Sequence, residues 1–202
     1  MSDPPASFYF DLCSPESYLA AERILHVLGG AAEWQPVLAR ELPGAESIEA
    51  FHGREQEVYR AEIARRAGEL GLQPLCWPDP FPFDGALAMR VATYAKSIGR
   101  VVPFAQAAFR QAFAGGHSLE EPDNVLIAAA ACEMHPAAVL KGAELRSIDR
   151  QLSQCTARAA RAGVLDVPAV VLAGTGRAFI GQRAIEDAAS SMDAVVTSAV
   201  PR

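Results

Sequence analysis

The sequence predicts an α/β fold in which a long helical segment is inserted into a sheet. Strand-like runs, rich in β-branched and aromatic residues, lie towards the two ends of the 202-residue chain, at 7–12, 34–38, 167–172 and 178–180. The segment between the two pairs of runs is rich in alanine, with apolar residues at spacings of three and four. Strands at both ends and helices between them indicate a sheet built from two separated pieces of chain.

Helix boundaries follow from the apolar spacing and from the glycines and prolines that interrupt it. The predicted helices are 15–28, 46–70, 84–98, 102–114, 122–132, 136–161 and 183–198. The pair Lys141-Gly142 is expected to bend the long helix that contains it. We therefore predict a discontinuous sheet domain, 1–43 plus 162–202, and an inserted all-helical domain, 44–161.

The composition excludes several functions. A formal net charge of −6 and a pI near 5.2 argue against a nucleic-acid-binding surface. No apolar stretch approaches the roughly 20 residues that span a bilayer, and the first residues lack the layout of a signal peptide. The cysteines show neither a close pair nor metal-ligand spacing; they are Cys13, Cys76, Cys132 and Cys155. We expect a cytoplasmic protein with free thiols, no metal site and no membrane partner.

The end of the first strand carries the most informative residues. The apolar run stops at Cys13, Ser14 is a good helix N-cap, and Pro15 suits the first helical position. A thiol and a hydroxyl therefore lie at a strand-to-helix turn, beside unsatisfied N–H groups that favour an anion. The simpler interpretation makes Ser14 an N-cap and Cys13 a small packing residue.

Residues 7–18, Ser-Phe-Tyr-Phe-Asp-Leu-Cys-Ser-Pro-Glu-Ser-Tyr, resemble the N-terminus of the 2-hydroxychromene-2-carboxylate isomerases and kappa-class glutathione transferases. These families belong to the thioredoxin-like superfamily that includes the DsbA oxidoreductases. Segments 71–82, 162–168 and 179–182 are similar to further family motifs, in the same order. The resemblance implies a thioredoxin-like sheet with an inserted all-helical domain, of the DsbA and kappa type.

The resemblance also implies a function and a set of residues. Ser14 occupies the position of the catalytic serine that meets the glutathione sulfur. The Val167-Pro168 bond is expected to be cis and to lie opposite this turn, where the Val167 backbone pairs with glutathione. The implied activity is isomerisation of a conjugated intermediate of aromatic degradation, with glutathione as cofactor. A small aromatic substrate and a homodimer are also implied.

Other positions depart from the family pattern or allow two interpretations. Asp84 replaces an asparagine; it is either a glutathione contact or a helix N-cap. After Gln182 the family has Asp-Arg, whereas this chain has Arg183 and Ala184. Arg183 is either a carboxylate receptor or a solvated charge. The family's Gly-Asn segment has no clear counterpart between Leu42 and His52. An aromatic set either lines the acceptor site or pins a loop; its members are Trp77, Phe81 and Phe83.

Three alternatives to the isomerase remain open. One is a transferase of the kappa type, which uses the same thiolate. Another is a thiol-disulfide oxidoreductase that uses Cys13, although Ser14 and Ser17 occupy the positions of the two DsbA cysteines. The last is a protein that binds a small thiol or aromatic without turnover, which the changes at Asp84 and Arg183 motivate.

Overall fold

A computed structural model describes residues 5–29, 32–44 and 53–198. Its sheet contains four strands in the order β2-β1-β3-β4. The strands are β1 (Ala6–Phe10), β2 (Glu33–Pro36), β3 (Ala169–Leu172) and β4 (Ala178–Ile180). β1 pairs parallel with β2, whereas β3 runs antiparallel to both β1 and β4. The two ends of the chain thus form one sheet, as the sequence predicts.

Among the described residues, helices α1 and α2 connect β1 to β2, six more occupy the middle of the chain, and α9 follows β4. Their bounds are α1 (Pro15–Ala21), α2 (Ile24–Val27), α3 (Arg54–Glu69), α4 (Ala86–Ser97), α5 (Val101–Phe113), α6 (Pro122–Ala130), α7 (Pro136–Ala143), α8 (Arg146–Arg161) and α9 (Ala184–Ser198). The start of the predicted helix 46–70 lies outside the described residues. Within the described ranges, every helix is too short or too polar to span a bilayer.

Two predicted helices are each divided in the structure. The helix predicted over 15–28 is interrupted at Glu22–Arg23, where Arg23 N–H donates to Ala20 at three-residue spacing, 3.1 Å. The side chains of Glu22 and Arg23 are both held by ion pairs to other helices. The helix predicted over 136–161 breaks at Leu145, whose backbone is extended (φ −68°, ψ 128°). The predicted bend at Lys141-Gly142 is therefore placed too early.

The position of β2 agrees with its proline. Pro36 has no backbone N–H and is tolerated mainly at a sheet edge. β2 is an edge strand, with Pro36 opposite Phe10 of β1. The chain continues the ladder by one bond, from Val37 N–H to the Phe10 carbonyl at 3.0 Å. Of the two placements that Pro36 allows, a sheet edge or an irregular pairing, the structure has the edge.

Both faces of the sheet are covered. Phe8 and Phe10 point to one face and pack against Trp34, with ring centroids 5.0 and 5.5 Å away. Phe10 also contacts Phe109 of α5, at 5.8 Å. Tyr9 points to the opposite face, where a smaller apolar cluster includes Cys155 of α8. The larger hydrophobic cluster is continuous from the sheet into the middle helices. The division into two domains at 44 and 161 stays a prediction.

Candidate functional site

The turn between β1 and α1 is built around Ser14. Its backbone is extended (φ −92°, ψ 114°), and its Oγ accepts the Ser17 N–H at 3.0 Å, so Ser14 is the N-cap of α1. Pro15 follows at the first helical position, as predicted. Ser14 is 6% exposed, so its hydroxyl lies in a recess. The Ser17 hydroxyl beside it is fully buried and finds no hydrogen-bond partner among the described residues.

A buried carboxylate holds this turn in place. Asp11 accepts the Cys13 N–H through Oδ1 and the Ala39 N–H through Oδ2, each at 2.9 Å. Its backbone carbonyl accepts the Ser14 N–H at 3.1 Å. Asp11 therefore ties the end of β1 both to Ser14 and to the segment after β2. Burial raises the pKa of Asp11, and the two N–H donors act in the opposite direction.

Glu16 and Tyr59 complete the cluster. The Tyr59 hydroxyl on α3 lies 2.8 Å from both carboxylate oxygens of Glu16. The Ser14 hydroxyl is 3.3 Å from Glu16 Oε2. Burial raises the pKa of Glu16, and the Asp166 carboxylate raises it further, whereas the bonds from Tyr59 and Ser14 lower it. Three side chains, Ser14, Glu16 and Tyr59, thus form one hydrogen-bonded chain.

The thiol of Cys13 points away from this chain. Its Sγ lies 3.7 Å from the carbonyl oxygen of Phe83. A Cβ added to Gly85 would lie 2.2 Å from the same sulfur, so the thiol fills a space that only glycine leaves open. Burial, followed by the Asp11 carboxylate, raises the pKa of Cys13 well above its usual value. These contacts are those of a packing residue rather than of a reactive thiolate.

We expect Cys76 to be modified by iodoacetamide at least about tenfold faster than Cys13 in the folded protein, because alkylation needs an accessible thiolate. Cys76 is exposed, whereas Cys132 and Cys155 are buried. Timed labelling followed by peptide mass spectrometry gives the order of reaction, and Cys76→Ser should remove the fast phase. Preferential labelling of Cys13 would contradict the packing role and restore the oxidoreductase alternative.

The Val167-Pro168 bond is cis, as the resemblance implies. The register pairs Ala169 of β3 with Tyr9 of β1, so the two preceding residues lie beside the exit of β1 that leads to Ser14. The Val167 N–H donates to Asp166 Oδ1 at 2.7 Å, and the Pro168 carbonyl accepts the Gly181 N–H at 2.8 Å. A peptide that pairs with Val167 through this N–H must therefore displace the Asp166 side chain.

The predicted aromatic set forms part of a larger cluster. Phe81 and Phe83 are each 7% exposed and both contact Phe113 of α5. Trp77 is partly exposed and lies 4.8 Å from Phe81, edge to face. The Tyr59 ring stacks on Phe81 at 6.5 Å, which joins the cluster to the Ser14 turn. The burial of the two phenylalanines supports the interpretation that they pin the loop before α4. An acceptor-binding role for the set stays a proposal.

The remaining predicted contacts lie on the surface. Asp84 is exposed and its Oδ1 accepts the Ala86 N–H at 2.9 Å, which caps α4 from the residue before the cap position. Gln182 Oε1 accepts a hydrogen bond from Arg66 of α3 at 2.9 Å. The Arg183 side chain is 76% exposed and lies 3.7 Å from Asp187. None of these contacts joins Asp84, Gln182 or Arg183 to Ser14.

An open cavity of about 540 Å³ adjoins the site. It is lined by residues of α3, namely Arg54, Glu55, Val58, Tyr59 and Glu62. Tyr59 therefore contacts the cavity and also donates to Glu16. Val58 is 61% exposed and provides a small apolar surface at this opening.

Sequence reasoning did not identify the roles of Asp11 and Tyr59. Asp11 carries a signal, since an acidic residue at the end of a buried strand requires hydrogen-bond donors. Tyr59 has no comparable signal, because only the packing of α3 on α1 brings it to Glu16. Glu16 is a third residue whose role the sequence analysis did not assign; in the structure it accepts bonds from two hydroxyls.

The sheet order, the inserted helices and the serine turn beside a cis-proline define a thioredoxin-like protein with a helical insertion. A family model, the DSBA-like thioredoxin domain, matches residues 7–193. The chain belongs to this family, and the recognised superfamily and the predicted fold class are confirmed. No curated protein sequence matches the chain significantly.

Solved structures share the fold at low sequence identity. A 2-hydroxychromene-2-carboxylate isomerase superimposes with a TM-score of 0.80 and 16% identity, covering 96% of each chain. The cytosolic disulfide reductase DsbM from Pseudomonas aeruginosa, solved with GSH, superimposes with a TM-score of 0.69 and 15% identity. The match covers 95% of this chain and 98% of the DsbM chain. The oxidoreductase DsbA from Xylella fastidiosa superimposes with a TM-score of 0.56 and 14% identity. The match covers 96% of this chain and 84% of the DsbA chain.

Proposed function

We propose that this protein is a cytoplasmic, glutathione-dependent isomerase of the 2-hydroxychromene-2-carboxylate type. The observation that carries the proposal is the hydroxyl of Ser14, recessed at the β1–α1 turn and bonded to Ser17 N–H and Glu16. The family membership and the fold shared with an isomerase of this type support it. DsbM, a neighbour of the same fold, has been solved with GSH.

The site fits the thiol end of glutathione better than the peptide end. The buried Ser17 hydroxyl has no partner among the described residues, and the neighbouring Ser14 hydroxyl has capacity to accept a further donor. On the peptide side the Val167 N–H is already bonded to Asp166. We assign the thiol contact to Ser14. We assign the backbone contacts to Val167 and Pro168, where binding through the Val167 N–H requires displacement of the Asp166 side chain. Gln182, Arg183 and Asp84 are weaker candidates for the remaining contacts.

When bound, glutathione would supply a nucleophilic sulfur that adds reversibly to a conjugated double bond and so permits rotation about it. The protein's part is to hold that sulfur and to control its proton. Ser14 provides the hydroxyl that stabilises the thiolate. The cavity beside Tyr59 is where we place the acceptor. The Tyr59 ring stacks on Phe81 and so connects this cavity to the aromatic set of Trp77, Phe81 and Phe83, which we propose as further acceptor contacts.

Titration with reduced glutathione at neutral pH, followed by the ultraviolet absorbance of the thiolate, tests the cofactor. A saturable thiolate signal is expected with glutathione, and no signal with S-methylglutathione, which lacks the thiol. Absence of both binding and signal would overturn the proposal. Incubation of the complex with conjugated 2-hydroxy-carboxylates then separates the activities, because an isomerase returns free glutathione and a kappa-type transferase leaves it in the product.

The variant Val58→Glu is expected to raise KM for the acceptor at least about tenfold while glutathione binding is unchanged, because the new carboxylate removes apolar contact and repels the carboxylate of the acceptor. Steady-state kinetics at saturating glutathione, together with the thiolate titration, provide the two readings. Leu140→Glu is the control, since Leu140 is also exposed, at 37%, but lies on α7. An unchanged KM in Val58→Glu would place the acceptor elsewhere.

A further inference from the structure

The hydrogen of the Ser14 hydroxyl already has an acceptor. Ser14 Oγ accepts the Ser17 N–H, and its single O–H donates to Glu16 Oε2 at 3.3 Å. A hydroxyl has one donor and two acceptor sites. One acceptor site on Ser14 therefore remains for a ligand, and it suits an S–H group that donates to Oγ. A thiolate at the same place would instead have to accept the Ser14 hydrogen, which is already donated to Glu16.

Glu16 is equipped to take up a proton. Tyr59 donates to its carboxylate from α3, and Asp166 acts on it from the segment before β3. Burial and the Asp166 charge favour the protonated carboxyl and raise the Glu16 pKa. The pKa of Tyr59 is raised as well, by burial and then by Glu16, so the phenol stays a donor. On the α5 side, Tyr18 of α1 contacts the rings of Phe109 and Phe113, and the charged group of α5 that contacts α1 is Arg110, which pairs with Glu22 at the end of α1 opposite Glu16.

Charge balance makes transfer favourable. A thiolate placed at Ser14 beside an ionised Glu16 would put two anions in one recess, close to the Asp166 carboxylate. Like charges in a partly buried site oppose each other's ionisation. If the thiol proton moves to Glu16, the net charge of the recess stays the same before and after the thiolate forms.

We propose that Glu16 is the proton acceptor of this site and that Ser14 relays the proton from a bound thiol to it. The S–H bond breaks with its electron pair left on sulfur, and that proton joins Ser14 Oγ. The original Ser14 hydrogen passes to Glu16 Oε2. Afterwards Ser14 donates to the sulfur and accepts from the Glu16 carboxyl, so every contact is retained with the donors reversed. This inference rests on the proposed use of glutathione.

Proton counting tests the relay. Glutathione is titrated calorimetrically at neutral pH in buffers of different ionisation enthalpy, while the thiolate absorbance is recorded in parallel. A free thiol, with a pKa of about 8.5, is mostly protonated at this pH, so formation of a bound thiolate frees about one proton. In the wild-type protein we expect a thiolate signal with almost no proton released to the buffer, because Glu16 retains it.

The variant Glu16→Gln keeps the shape and the acceptor for Ser14 but cannot take up a proton. It should either release about one proton for each thiolate formed or bind glutathione with a thiolate signal at least about tenfold weaker. Glu57→Gln makes the same change of charge at an exposed position of α3 and should behave as wild type. Circular dichroism checks that both variants are folded.

Two results would overturn the relay while leaving the proposed function intact. One is release of about one proton per thiolate by the wild-type protein. The other is a Glu16→Gln variant with an undiminished thiolate signal and no proton release. A wild-type protein that shows no thiolate at all would instead overturn the proposed function, and the relay with it.

Discussion

The variant Ser14→Ala is expected to lose the thiolate signal of bound glutathione at neutral pH. A hydrogen bond to a charged group contributes about 1.5–3 kcal/mol. At about 1.36 kcal/mol per unit, its loss raises the pKa of the bound thiol by roughly one to two units. The thiolate fraction, and with it turnover, should fall at least about tenfold. Absorbance titration and steady-state rates measure the two effects.

The same substitution removes the N-cap of α1, which costs about 1 kcal/mol of stability. Loss of function must therefore be separated from partial unfolding. Ser14→Thr keeps both the hydroxyl and the cap and should retain most of the signal. Ser190→Ala removes a hydroxyl that bonds within α9, to the Glu186 carbonyl at 3.0 Å, and should leave the signal unchanged. An intact thiolate in Ser14→Ala would show that the serine is only a cap.

Replacement of Asp11 by alanine is expected to destabilise the fold by about 2–4 kcal/mol, because two partly buried N–H groups lose their acceptor. These belong to Cys13 and Ala39, on the two segments that Asp11 joins. Since the turn is held from this point, glutathione binding should weaken too. Chemical denaturation gives the free energy of unfolding. A change below about 0.5 kcal/mol, the usual range for surface substitutions, would contradict the role.

The Asp11 carboxyl also carries a pH signature. Burial raises its pKa in the folded protein above the ordinary 3.8, so the folded state binds its proton more tightly than the unfolded state does. This contribution to stability is complete below pH 3.8 and is lost as the pH rises through the folded value. Asp11→Asn cannot titrate at this position. As the pH rises over that range, the free energy of unfolding of the wild type should therefore fall relative to that of the variant. Asp84→Asn, which removes the carboxylate of an exposed capping aspartate, is the matched control for the loss of one charge.

The sequence by itself determined the parts of this protein that depend on local order along the chain. Alternating apolar residues and a capping serine followed by proline are local patterns, so β1 and the start of α1 were predictable. Pro36 limited β2 to a sheet edge or an irregular pairing. The resemblance to the family motifs also predicted the cis bond before Pro168 and singled out Ser14. Helix interruptions at Arg23 and Leu145 were missed, because no proline or glycine marks them.

Only the tertiary structure decided what surrounds the Ser14 hydroxyl. Glu16 and Tyr59 are 43 residues apart, and their hydrogen bond depends on how α3 packs on α1. The direction of the Cys13 thiol likewise depends on a glycine 72 positions later, which leaves space for the sulfur. Burial is a property of the assembled chain, and so are the pKa values that follow from it. The local pattern could therefore predict a serine at the turn, but neither the acid that accepts its hydrogen bond nor the phenol that donates to that acid.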